Sequence, residues 1–148
     1  MSGIRQSPRD AAFDPAYFQT VFLVPRPPAE WPRTFAIVTA HNPDGEISPV
    51  SANDEYGRAL AEHLRAKGIE SFAVVGASPD LSHHEAGRGF AVSDLEEAAA
   101  VSARFRQVAF FWVEDGTVYI CTDASGEGWE MAPWQERLVR PRAISTRP

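Results

Sequence analysis

Hydrophobic positions along the chain fall into short blocks, some continuous, some recurring near every fourth residue. The block that organises the rest is FAIVTAHNP, Phe35 to Pro43, where a near-continuous apolar run breaks into a polar tip of Thr39, His41 and Asn42. Such a run reads as a strand covered on both faces, here about Thr34 to Ala40, and Pro43 ends it because proline has no N–H for a ladder. Before it, Tyr17 to Val24 is rich in aromatic and β-branched residues and predicts a first strand. The other reading of that stretch is a short helix after Asp14 with Pro15 at its first position. The linker RPPAEWP is extended or turned, since each residue before a proline is pushed out of the helical region.

After the turn-rich NPDGEISP, Ser51 offers an N-cap, Tyr56, Leu60 and Leu64 form one apolar stripe, and Gly68 stops the helix. Ser71 to Gly76 is a short buried strand, ASPDLSHHEAG a polar loop, and Arg88 to Val92 a further strand. Ser93-Asp94-Leu95-Glu96 reads as a capping box opening a second helix to about Arg106, with Leu95, Ala98, Ser102 and Phe105 facing inward. VAFFWVE and TVYICT flank Asp115-Gly116, a strong hairpin signal. Beyond Thr122 the pattern lapses, leaving room for a short edge strand or a helical turn, with Trp129, Met131 and Trp134 covering core.

The order from Thr34 is strand, helix, strand, strand, helix, strand, strand. It predicts an α+β fold, a single mixed or antiparallel sheet with two helices on one face, in ferredoxin-like βαββαβ alternation plus an extra C-terminal strand. Length adds one constraint, because 148 residues suit one domain. That domain is expected over residues 13–122, after a disordered N-terminus at 1–12. The Pro- and Arg-containing tail, 123–148, packs on the domain or is partly disordered.

A net charge of −6 counts against nucleic acid as a partner, and the one local excess of arginine, Arg137, Arg140, Arg142 and Arg147, is interleaved with proline. No apolar window approaches a membrane span and no leader-like h-region opens the chain, so no membrane is expected and the cytoplasm is the expected compartment. The single Cys121 agrees with that and reads as a small core filler.

Three polar groups could carry chemistry: Thr39, His41 and Asn42 with Asn53 at the start of the first helix; His83, His84 and Glu85 in the loop before the Arg88 to Val92 strand; and Gln107, where the second helix gives way to an apolar strand. His41, His84 and Glu85 are the candidates for acid–base catalysis, since imidazole titrates near neutral pH. The competing reading is that these side chains brace loops, with Gln107 bonding the last helical carbonyls. The histidines lack a signature spacing such as HExxH and adjacent ligands fit one ion poorly, so no metal is expected. No glycine-rich cradle is present, and Asp44, Glu46, Asp54 and Glu55 oppose a phosphate, so no cofactor is expected either. No nucleophile elbow occurs, which leaves open whether the protein is an enzyme.

FAIVTAHNPDG, Asn53, Gly76 with its PD loop, His84-Glu85 before a glycine-containing strand, and RQVAFFWVEDG together resemble the bacterial domain of unknown function 3293, over about residues 17–122. The resemblance implies a set of positions, Thr39, Asn42, Pro43, Asn53, Glu85 and Gln107, without an activity. It also implies an aromatic residue at His41 or His84 in some relatives, which weighs against metal or base roles there. The expected function is binding of a small polar ligand at the end of the central strand by Thr39, His41, Asn42, Asn53, Glu85 and Gln107. One alternative is a protein-binding or regulatory module, or a homo-oligomer, using an aromatic edge of Trp112, Trp129 and Trp134. The other is a hydrolase or transferase using His41 or His84 with Glu85.

Overall fold

In a computed structural model, which describes residues 5–6 and 15–139, the chain forms one mixed, strongly curled half-barrel sheet with three helices. The strands are β1 (Arg5–Gln6), β2 (Val21–Leu23), β3 (Thr34–Thr39), β4 (Phe72–Ala77), β5 (His84–Ala91), β6 (Phe110–Glu114), β7 (Thr117–Cys121), β8 (Glu127–Pro133) and β9 (Leu138–Val139). The helices are α1 (Val50–Ala66), α2 (Leu95–Arg104) and α3 (Trp134–Arg137). Across the sheet the order is β1-β8-β7-β6-β3-β5-β4-β2-β9. Among the described residues only the β1–β8 and β2–β9 pairings are parallel. The expected fraying of residues 1–12 lies outside the described residues except at Arg5–Gln6, and Arg140, Arg142 and Arg147 lie outside them altogether.

β3 sits near the middle because both faces of it are apolar. Phe35 and Ile37 point to the concave side and join Phe22, Val74, Val113, Val118 and Trp134. Ala36, Val38 and Ala40 point the other way and meet Leu60 and Leu64 of α1 and Ala98 and Val101 of α2, so these two helices share one face. The curl follows from the concave aromatics. Phe22 on β2 and Phe111 on β6 are four strand spacings apart, about 19 Å in a flat sheet, yet their ring centroids are 4.9 Å apart. Trp134 closes this interior edge-to-face against Phe35, with centroids 5.2 Å apart, a geometry worth about 0.5–1.5 kcal/mol beyond burial. Gly89 makes room for the arrangement, since a Cβ there would stand 2.5 Å from the Phe72 ring.

Several local expectations are corrected. Only residues 21–23 of the predicted first strand are extended; Pro15–Gln19 forms a 3-10 turn, as proline's fixed φ at a helix start favours. Pro49, not Ser51, precedes α1, and Asp94, not Ser93, caps α2 by accepting from the Glu96 amide at 2.9 Å. β5 begins at His84 rather than Arg88, which moves Glu85 from a loop onto a strand. The segment after Thr122 supplies β8, α3 and β9, and β9 pairs with β2. Trp112 and Trp134 are buried, so they do not form an exposed aromatic edge. The hairpin has positive φ at both Asp115 and Gly116, the backbone that Asp-Gly favours. Among the described residues no helix is long and apolar enough to cross a membrane.

Candidate functional site

β3 stops at Thr39, and β5 does not stop with it. β3 pairs with residues 87–91 of β5, whereas His84, Glu85 and Ala86 pair with β4 across the sheet's other side. The chain leaves the β3 line because Pro43 has no N–H to pair and Asn42 and Asp44 adopt left-handed backbone, φ 50° and 60°. Where β3 would have continued, a cleft of about 650 Å³ opens on the concave side. Thr39, Asn42, Glu85 and Gln107 line its floor, and Tyr17, Thr20 and Phe111 are among its walls.

The floor is one hydrogen-bonded network. Thr39 Oγ1 lies 2.7 Å from Gln107 Oε1 and 3.3 Å from Glu85 Oε1. Asn42 Nδ2 donates to Glu85 Oε2 at 3.1 Å, while Asn42 Oδ1 accepts from the Ser48 amide at 2.9 Å and from Asn53 Nδ2 at 3.1 Å. Asn53 Oδ1 in turn accepts from the Asn42 amide at 2.9 Å. Asn42 and Asn53 therefore clasp each other and hold the loop that follows β3 against α1.

Gln107 is placed by the end of α2. Arg106 takes left-handed backbone, φ 55°, and the amides of Arg106 and Gln107 return to the carbonyls of Ala103 and Ser102 at 3.0 Å each, a Schellman stop without glycine. Holding arginine in that conformation costs roughly 1–2 kcal/mol. Offsetting contacts tie Arg106 to the loop: its carbonyl accepts from the Asp44 amide at 2.7 Å and its guanidinium pairs with the Asp44 carboxylate. That hydrogen bond holds the Asp44 carboxyl below the usual carboxylate range. Gln107 Nε2 then donates to the carbonyls of His41, 3.1 Å, and Phe105, 3.0 Å. Helix capping and contact with the strand tip are thus met by the same side chain.

The walls are tied down as well. Arg137 of α3 donates to the carbonyls of Phe18 and Thr20, at 2.7 and 3.1 Å, fixing the turn that carries Tyr17. On the opposite side Asp80 organises the β4–β5 turn by accepting from the Ser82 amide and from the hydroxyls of Ser82 and Ser78. Those bonds, the Ser82 hydroxyl first, lower its carboxyl to about 2.

The structure brings Thr39, Asn42, Asn53, Glu85 and Gln107 into this one network. The histidines stand apart from it. The ring of His41 lies on the Gly57 side of α1, where an added Cβ would come within 4.0 Å of its Nε2, its carbonyl alone bonds to Gln107, and burial lowers its imidazole below the ordinary range despite the nearby carboxylates of Glu85 and Asp54. His83 and His84 are exposed at the cleft's border, and no hydrogen bond joins either ring to Glu85. Among the described residues no three His, Cys, Asp or Glu side chains stand together as a metal site. Ser48 enters through its backbone, so its side-chain type gives no signal, and Tyr17, Thr20 and Phe111 reach the cleft only through the sheet's curl.

Residues 38–110 match the family model described as "Protein of unknown function (DUF3293)". No curated protein matches the chain, and no solved structure does.

Proposed function

Residues 38–110 form a DUF3293 domain, and we propose that it binds a small polar ligand in the cleft beyond β3. Thr39, Glu85 and Gln107 face the ligand, Asn42 holds Glu85, and Asn53 positions Asn42. His41 serves through its carbonyl. The observation that carries this reading is the floor itself: side chains from β3, the loop after it, β5 and the α2–β6 junction are fixed by mutual hydrogen bonds beside a cleft of about 650 Å³, within the range typical of small-molecule sites. Preorganised polar groups lose little freedom when a ligand arrives.

The order β6-β3-β5-β4, with α1 and α2 each joining strands two places apart, supports reading the centre as a ferredoxin-like core extended on both sides. The buried single thiol is in keeping with a cytoplasmic setting. A thermal-shift screen of uncharged and charged metabolites tests the binding reading, with Glu85→Ala and Asn42→Ala as controls. Hits that raise the melting temperature of the unaltered protein and not of Glu85→Ala are expected. If no compound raises it, and both variants differ from the parent only in stability, the cleft is a braced loop and nothing more.

A further inference from the structure

The floor has one hydrogen too few. Gln107 Nε2 donates to two carbonyls, which fixes its amide so that Oε1 faces Thr39. A hydroxyl has a single proton, and with Gln107 Oε1 at 2.7 Å and Glu85 Oε1 at 3.3 Å that proton goes mainly to Gln107. Glu85 Oε2 accepts from Asn42, whereas Oε1 keeps from the floor only the long 3.3 Å contact to the Thr39 hydroxyl, whose proton is shared with the nearer Gln107 oxygen. No lysine or arginine forms an ion pair with Glu85 among the described residues. A carboxylate oxygen beside an open cleft, with its neighbour anchored, is an acceptor set for a cationic donor.

A second observation concerns the mouth. The large hydrophobic side chains left exposed among the described residues are Ile47 at 93%, Val50 at 77% and Val108 at 36%. Ile47 and Val108 both line the cleft, and Val50 follows three residues after Ile47 at the start of α1. Exposed apolar side chains gathered around a polar floor mark a surface that a ligand covers. The net charge of −6 favours approach of a cation over an anion.

We infer that the ligand is an organic cation with an apolar body, an amine whose ammonium donates to Glu85 Oε1 while its hydrocarbon part lies along Ile47 and Val108. This rests on the binding reading above and narrows it. An anion would meet the Glu85 carboxylate, and a bare metal ion would find one carboxylate with no second acidic or imidazole ligand bonded into the floor.

Three probes with one body and different head groups separate the possibilities: benzylamine, benzyl alcohol and benzoate, titrated into the full chain while backbone amide resonances of Thr39, Glu85 and Gln107 are followed by NMR. Benzylamine is expected to bind at least about tenfold more tightly than benzyl alcohol, the margin of a charge-assisted hydrogen bond, and benzoate to leave these resonances unmoved. Glu85→Gln should bring benzylamine to the level of the alcohol. Ile47→Ser, at a site too exposed to disturb folding, should weaken both by a few fold. Equal binding of all three, or benzylamine binding that survives Glu85→Gln in a variant with a folded spectrum, overturns the inference. If none of the probes binds yet neutral metabolites move the same resonances, the cation is wrong and the binding reading stands. If nothing moves them, both fall.

Discussion

Asn42 is the residue whose loss should cost most at the floor, and the two contributions to that cost can be separated. Its side chain makes three hydrogen bonds, to the Ser48 amide, Asn53 and Glu85. Bonds between neutral groups contribute about 1 kcal/mol each and one to a carboxylate about 1.5–3 kcal/mol. Its backbone sits at φ 50°, a conformation that asparagine tolerates and that costs alanine roughly 1 kcal/mol more. Because the cluster is part-buried, water recovers some of the lost bonds, and the net expectation for Asn42→Ala is a loss of about 3 kcal/mol. Asn42→Gly loses the same bonds but relaxes the left-handed backbone, so it should lose about 1 kcal/mol less. Urea unfolding followed by tryptophan fluorescence measures both, since Trp31 and Trp134 report on the concave core. An alanine variant within 0.5 kcal/mol of the parent, or a glycine variant no better than alanine, would refute the account of Asn42 as a hub held in strained backbone.

Other consequences can be checked separately. Burial keeps the His41 imidazole below its ordinary value of 6.5, so the unfolded chain takes up that proton first; stability is full above the unfolded value and declines as pH falls through it towards the lowered folded one. Melting temperature should therefore drop from pH 7.5 to 5.5, and His41→Gln should flatten the slope; an unchanged slope would show that the ring is solvated. Burial raises the Cys121 thiol to about 12, so at pH 8 the native protein should react with a disulfide reagent about a thousandfold more slowly than the unfolded chain, and labelling within minutes would contradict its place in the core. A Cβ on Gly87 would stand 2.6 Å from the Val38 carbonyl oxygen and 2.9 Å from Thr39 Cγ2; Gly87→Ala should cost about 1–3 kcal/mol and weaken any ligand, and a stable variant with intact binding would mean that β3 has slack.

Much of this architecture was legible because it rests on apolar periodicity. FAIVTA, the Tyr56, Leu60 and Leu64 stripe, the inner face of α2 and the Asp-Gly hairpin each signal themselves locally, and each forms. β8 did not, since Glu127, Gly128 and Glu130 interrupt any alternation, and that strand is held by its pairing with β7. The start of β5 was hidden for a similar reason: His84, Glu85 and Gly87 look like loop, yet the register with β4 makes them strand. Within the site, Thr39, Asn42, Asn53, Glu85 and Gln107 were visible as polar residues at element ends. Their mutual bonding depends on β3 stopping short while β5 runs on, and single residues do not carry that. The walls depend on curl, which brings the rings of Phe22 and Phe111 together across four strand spacings.

That division between floor and walls also runs along the chain. Thr39, Asn42, Glu85 and Gln107 all lie within residues 38–110, the span that matches the family, whereas Tyr17, Thr20 and Phe111 lie outside it. The same split runs through the two cores, because the helix-side core falls mostly inside that span and the aromatic lining of the concave face mostly outside it. The floor braces itself through its own bonds. A change at Tyr17, Thr20 or Phe111 would therefore reshape the space above the floor from outside the family-matched span, whereas a change at the floor itself falls within it.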